Sequence, residues 1–250
     1  MNIERVLASL DLPTEARVDQ RIPKKLLIEN MAPTAADKRQ INEGIEELVW
    51  VATLKPNTIG VPEYKDSERE ILEIAVLSLL LRENAKATRI VELIHRAIPY
   101  PLLLVSYQKD VVSVSLATKR WAQNEGSKTV LDDDLLVINL ADDEVTNAFL
   151  QALSLKLQPR ANLNTFYMGW KVAIEAYRAS TFVGQFNIIH KPEAVETRRA
   201  ALAVADSIQK ELVTLKAQAQ RETQMNRRVE LNLEIKKLET RLSEAKQQMA

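Results

Sequence analysis

Cysteine is absent, which excludes disulfides, thiolate nucleophiles and thiolate metal sites. Glycine is scarce, 5 residues in 250. That argues against a turn-dense all-β fold and against a glycine-rich phosphate loop. Neither charge sign is in excess. The 34 basic residues balance 34 acidic ones, so nothing in bulk draws the chain to nucleic acid or an anionic membrane. Only a local patch remains open. Long apolar runs are also missing. The longest, residues 74–81, is interrupted by Ser78 and falls far short of the roughly 20 residues a membrane helix needs. The first residues lack the basic stretch, apolar core and small-residue cleavage site of a secretory signal. The expectation is a soluble cytoplasmic protein.

What is present centres on residues 89–108, RIVELIHRAIPYPLLLVSYQ. Ile90, Leu93, Ile94, Ala97 and Ile98 recur at helical spacing. Pro99 and Pro101 forbid continuation, since proline lacks the N–H and forces its predecessor into an extended conformation. Leu102 to Val105 then has the length and character of a buried strand. Leu103 and Val105 are expected to be central and buried, facing opposite layers.

Upstream, residues 1–10 read as a short helix and 11–32 as irregular. Thr34 followed by Asp37 marks a helix N-terminus running to about residue 46. Residues 48–54 are β-branched and aromatic, a strand. A turn at Pro56 leads to a second short strand over 58–61. Residues 70–82 read as a third strand, with a helix as the rival, because a continuous apolar run does not decide between them. Residues 108–110 form a hairpin turn without its usual glycine, and 111–116 alternate as a half-buried strand. Residues 118–134 are polar, and 135–138 make a further strand. Helices follow from Asp142 and over 165–183, with Gly184 as a stop.

From Pro192 onward, strong helix formers dominate. Leu231, Ile235, Leu238 and Leu242 alternate steps of four and three, a heptad seam. Ile208, Leu212, Leu215 and Ala219 do the same in another phase. The polar residues 218–228 between them mark a stutter or break. The fold class is therefore α/β: a mixed sheet flanked by helices over 1–190, then a long helical or coiled-coil tail over 191–250. That seam is the expected partner-binding surface. Its apolar side chains must be buried against its own domain, a second copy or another protein.

Three segments together, RIPKKLLIENMAPTAADKRQINEGIEELVWVATLKPNTI, RIVELIHRAIPYPLLLV and RVELNLEIKKLETRL, resemble the prokaryotic family called domain of unknown function 4391. The likeness covers most of the chain. It implies a bacterial or archaeal protein often encoded beside helicases and DNA methyltransferases of restriction and anti-phage defence islands. It carries over no catalytic residue.

The element order over 34–107 resembles the core of restriction-endonuclease-like nucleases. Those enzymes need an acid plus Glu-x-Lys on adjacent strands to hold a divalent metal. Here the strand reads EILEIAVLSLLLR, without lysine, and Asp66, Glu70 and Glu73 are the nearby acids. The triad is missing as written. His95, between Glu92 and Arg96, reads as a buried, hydrogen-bonded residue at a helix C-terminus, a position that favours imidazolium. Neither His95 nor His190 has metal-ligand spacing around it. No catalytic, metal or cofactor residue is assigned. Lys24, Lys25, Arg96, Lys119, Arg120 and Lys128 lie in or beside expected loops and would bind a phosphate backbone if they converged. A solvated surface is the plainer reading for them, and for the aspartates 132–134. Trp50, Trp121 and Trp170 could stack bases, but Trp50 and Trp170 sit in apolar segments and suit a core better. The leading function is a non-catalytic interaction subunit of a helicase-containing defence complex. The alternative is a metal-dependent nuclease.

Overall fold

The computed structural model describes residues 1–31, 34–122, 125–132 and 135–249. In chain order the elements are α1 (Ile3–Ser9), β1 (Arg17–Arg21), α2 (Lys24–Met31), α3 (Ala35–Gly44), β2 (Ile45–Leu54), α4 (Pro56–Ile59), β3 (Tyr64–Lys65), β4 (Glu70–Ile71), β5 (Ile74–Leu81), α5 (Ala87–Ala97), β6 (Leu102–Gln108), β7 (Val111–Ala117), β8 (Lys119–Ala122), β9 (Glu125–Leu131), β10 (Leu136–Leu140), α6 (Glu144–Ala152), α7 (Leu163–Val183), α8 (Pro192–Arg221) and α9 (Met225–Gln247). They form two compact units, Met1–Ile174 and Glu175–Ala250. The division falls inside α7, upstream of the boundary at 190 read from composition.

The first unit is built on a mixed six-stranded sheet of order β1-β2-β5-β6-β7-β10. Only β5 and β6 pair in parallel; every other neighbour pair is antiparallel. A parallel pair needs a crossover, and α5 supplies it. Residues 74–81 resolve as strand β5, because Leu77 and Leu79 face the helices while Ser78 and Leu80 face away, at half-buried positions. Ala75, Leu77, Leu79, Leu102 and Leu104 meet Leu27 of α2, Ile41 of α3 and Ile90, Val91, Leu93 and Ile94 of α5 in one apolar cluster. Leu103 and Val105 are fully buried, as expected of a central strand. They do not face opposite layers: two residues apart, they share the face turned away from that cluster. Tyr167 of α7 caps the β6–β7 ladder. Its hydroxyl accepts from the N–H groups of Leu102 and Ala117 and reaches both their carbonyls, at 2.9 and 3.0 Å.

Where periodicity was weak, the structure departs from the expectation. Residues 11–32 carry β1 and α2, yet β1 is exposed along its whole length, so no alternation marks it. Residues 56–59 form a helical turn, not a strand. Pro56 fits the first helical position, and Gly60 ends the turn at φ 64°, a conformation that favours glycine. Within the polar stretch 118–134, residues 119–122 and 125–131 pair as a separate two-stranded sheet, β8–β9. The β6–β7 turn manages without glycine by placing Lys109 and Asp110 at φ 49° and 65°. The Asp110 carboxylate accepts from the Tyr107 hydroxyl at 2.8 Å.

Helix α3 begins at the expected place. Thr34 caps it, with Asp37 completing a capping box. Asp37 also receives Arg89 of α5 in a two-pronged pair, at 2.8 and 2.9 Å. At its other end α3 closes on α5 through Gly44, where a Cβ would stand 2.6 Å from Ile90 Cδ1.

In the second unit, the tail is two helices that fold back on each other across residues 222–224, within the polar middle. Leu231, Ile235 and Leu238, with half-buried Leu242, pack against Ile208, Leu212, Leu215 and Ala219. The partner-binding expectation for this seam is thereby redirected: α9's apolar stripe is already covered by α8 of the same chain. Lys216 and Glu239 pair across the hairpin at 2.8 Å. Near the hairpin's open end, buried Arg198 donates to the carbonyls of Met249 and Asn187.

Two outcomes follow from these contacts. The hydrogen bonds from Arg89 hold the Asp37 carboxyl down to about 2 from 3.8. Stability from this pair is therefore present above the unfolded value and lost as pH falls toward about 2. Urea unfolding of Asp37→Asn should show lower stability than the parent at neutral pH and a shallower loss on acidification. Leu238→Lys should open the α8–α9 hairpin, seen as lost helicity and cooperativity by circular dichroism. An unchanged helical signal would contradict this packing.

Candidate functional site

The end of α5 fixes the site. Pro99 and Pro101 stop the helix, leaving carbonyls with no partner from a following turn. The β8–β9 hairpin supplies those partners. Lys119 Nζ of β8 donates to the Ile98 carbonyl, and Thr129 Oγ1 of β9 donates to the Pro99 carbonyl at 3.1 Å. Beside these bonds lies a cavity of about 190 Å³, lined by His95, Arg96, Lys119, Thr129, Val130 and Leu131.

Lys119 is 6% exposed. Among the described residues no carboxylate pairs with it. Burial pushes its ammonium down to about 7 from 10.5. His95 is fully buried, with Nε2 3.0 Å from Ser115 Oγ of β7. Its Nδ1 has no partner among the described residues. Burial, and secondarily the Lys119 charge, push His95 down to about 3. The position at a helix end was expected to favour imidazolium; desolvation outweighs the helix dipole and keeps the ring neutral. Arg96 stands at the rim, more than half exposed, with Nε 2.9 Å from Glu92.

Of the basic residues singled out from sequence whose side chains are described, Arg96 and Lys119 line this cavity. Arg120 pairs with Asp132 at 3.0 Å, and Arg69 reaches the same carboxylate at 2.9 Å. Lys25 lies near Glu29 along α2, at 3.7 Å. Lys24 donates to the Asn42 carbonyl near the end of α3, while Arg82 and Arg21 reach the neighbouring Glu43 and Glu46 carbonyls. Lys24 and Arg82 thus serve the C-terminus of α3, while Arg21 holds the start of β2. The Lys128 side chain and Asp133 and Asp134 lie outside the described residues. Trp170 is core, donating to the Leu153 carbonyl at 2.9 Å. Trp50 is half-buried and meets Tyr100 edge-on at 6.4 Å.

Sequence reasoning missed Ser115 altogether. Serines at alternate positions of β7 resemble a solvent face, but Ser115 is 1% exposed beneath α5.

The carboxylates near β5 do not converge. Asp66 accepts from the Tyr64 hydroxyl and from the N–H groups of Glu68 and Arg69. Glu70 pairs with Lys65 at 2.6 Å and Glu73 with Lys55 at 2.8 Å. Among the described residues no three histidines or acids are placed to hold a metal ion. No described helix is long and apolar enough to cross a membrane.

Fold and site define a mixed α/β protein with a buried lysine–histidine cavity at the end of its crossover helix. The chain belongs to the family described as Domain of unknown function (DUF4391), which it matches over residues 10–242. No curated protein and no solved structure matches it.

The lysine carries a measurable signature. Between about pH 7 and 10.5, the unfolded chain holds a proton at residue 119 that the folded chain has released. Stability due to Lys119 therefore rises with pH across that window and is lowest below it. Relative to Lys119→Met, the parent protein should gain stability steadily over this range in chemical denaturation. A pH-independent difference would show that the ammonium is not desolvated.

Proposed function

We propose that this protein is a non-catalytic interaction subunit of a prokaryotic anti-phage defence or restriction-type system, acting with a helicase. The observation that carries the reading is the pairing of the acids. The carboxylates a metal-dependent nuclease would need are each engaged by a cation, hydroxyl or backbone N–H of their own hairpin or of the loop after β2. On β5, the side chains that face away from the α5 cluster are Ile74, Val76, Ser78 and Leu80, with no Glu-x-Lys among them. The defence setting rests on the genomic company implied by the family resemblance. For a partner surface, the hairpin offers Met225, Val229 and Leu233. They recur every four residues on α9 and are 64%, 50% and 58% exposed. That stripe lies away from the seam already covered by α8.

One observation favours the second reading, a metal-dependent nuclease of the restriction-endonuclease-like class. Strands β1, β2, β5 and β6 lie in that order, with α5 as the parallel crossover. The strand read at 58–61 for the likeness in element order is instead the helical turn α4.

Pull-down from native cells with the full chain should recover a helicase. A Val229→Asp/Leu233→Asp variant with an unchanged circular dichroism spectrum should lose it. Magnesium- or manganese-dependent cleavage of DNA that Glu73→Ala or Asp66→Ala abolishes would sink the non-catalytic reading.

A further inference from the structure

The cavity under the α5 terminus is unlike the rest of the charged groups in this protein. Elsewhere most cations of the first unit meet a carboxylate or lie exposed. Lys119 does neither: it is 6% exposed, and its one described bond is to the Ile98 carbonyl. A capping role alone does not require full burial, since half-buried Lys24 caps α3. A buried ammonium without a counter-charge is costly unless something supplies one. The cavity beside it is polar on one wall. His95 contributes there, its Nδ1 buried and without a partner among the described residues. Arg96 closes the rim, its Nε paired with Glu92 at 2.9 Å.

We infer that this cavity binds a small phosphate-type oxyanion, with Lys119 as its counter-charge, His95 Nδ1–H as a neutral donor and Arg96 as a second cation at the mouth. Size agrees. About 190 Å³ has room for several waters, hence for a tetrahedral ion, but is smaller than the ~300–1,000 Å³ that encloses drug-sized ligands. Chemistry agrees too. When the Ser115 hydroxyl donates to Nε2, the ring proton sits on Nδ1, the atom left without a partner. The facing groups of β9, Thr129, Val130 and Leu131, carry no charge, and Arg120 beside Lys119 is occupied by Asp132. No described carboxylate in the lining would repel the anion. The phosphate could be free or the end of a nucleotide chain, because the pocket recognises the same oxygens in both.

Binding would couple to a proton. Near pH 8 Lys119 is mostly neutral, and an arriving anion must draw a proton onto it. The test is titration calorimetry of the full chain in two phosphate-free buffers of different ionisation enthalpy. The probes are inorganic phosphate, adenosine monophosphate, and one oligonucleotide with a 5′-phosphate or a 5′-hydroxyl. Saturable binding of at least one phosphorylated probe is expected, with proton uptake larger at pH 8 than at pH 6. Lys119→Met should weaken it by more than about tenfold while circular dichroism shows the fold intact. Arg96→Ala should weaken it less, and Lys24→Met should leave it unchanged. Should Lys119→Met fail to fold, His95→Phe gives the same reading by removing the second donor. Equal binding of phosphate and the monophosphate supports a free-phosphate site. Binding confined to the 5′-phosphorylated oligonucleotide supports a strand-end site. Binding that survives Lys119→Met, lacks proton uptake or is absent for every probe overturns the inference.

Discussion

The prolines that end α5 govern more of this molecule than any other local feature. A parallel β5–β6 pair requires a crossover, and the crossover must release the chain into β6 at a fixed point. Pro99 and Pro101 set that point, because neither can extend the helix ladder. The consequence is chemical as well as geometric. The carbonyls of Ile98 and Pro99 have no helical N–H to receive, so side chains of the next hairpin come in to meet them. Lys119 meets one of those carbonyls from a buried position, and burial denies His95 in the same lining a charge. How the helix is stopped thus fixes where the cavity lies.

Around that centre, electrostatics are mostly local. Asp37 links the start of α3 to the start of α5 through Arg89, and Asp132 receives both Arg69 and Arg120. In the second unit, buried Glu175 receives Arg199 at 2.8 and 3.1 Å. These pairs explain how a chain of zero formal charge can be rich in charged residues yet carry no dominant field. They also explain why three acids near β5, suggestive in sequence, leave little free to grip a cation: each already has a partner within hydrogen-bond distance.

The fold was legible wherever one face of an element is apolar. Helix α5, strands β6 and β7 and the Thr34 cap follow directly from spacing and cap chemistry, whereas β5, a continuous apolar run, left a helix as rival. The edge strand β1 was not legible, because an exposed strand carries no alternation. Nor was β8–β9, where the one deeply buried side chain among the described residues is a lysine and so reads as surface. The same masking hid most of the site. Lys119 and Arg96 were noticed as basic residues, but nothing in one dimension distinguishes a buried ammonium from a solvated one. Ser115 was invisible for the converse reason, since a buried serine on a two-residue period mimics an outward face.

The tail shows a further limit of periodicity. A heptad seam states that a stripe will be covered and leaves open by what. Here the deciding quantity is chain connectivity. Only residues 222–224 separate α8 from α9, so α8's matching stripe is offered at an effective concentration that a second molecule reaches only when very abundant. The break that the polar stretch 218–228 announces therefore also selects the partner. Each step of the seam, from Leu231 against the Ala219 end to Leu242 toward the open end, is closed within the chain. What remains for another protein is the opposite face of α9, where Met225, Val229 and Leu233 stay in water. A surface that keeps three large apolar side chains in register every four residues, after its own seam is filled, is the part of this hairpin best suited to an external contact.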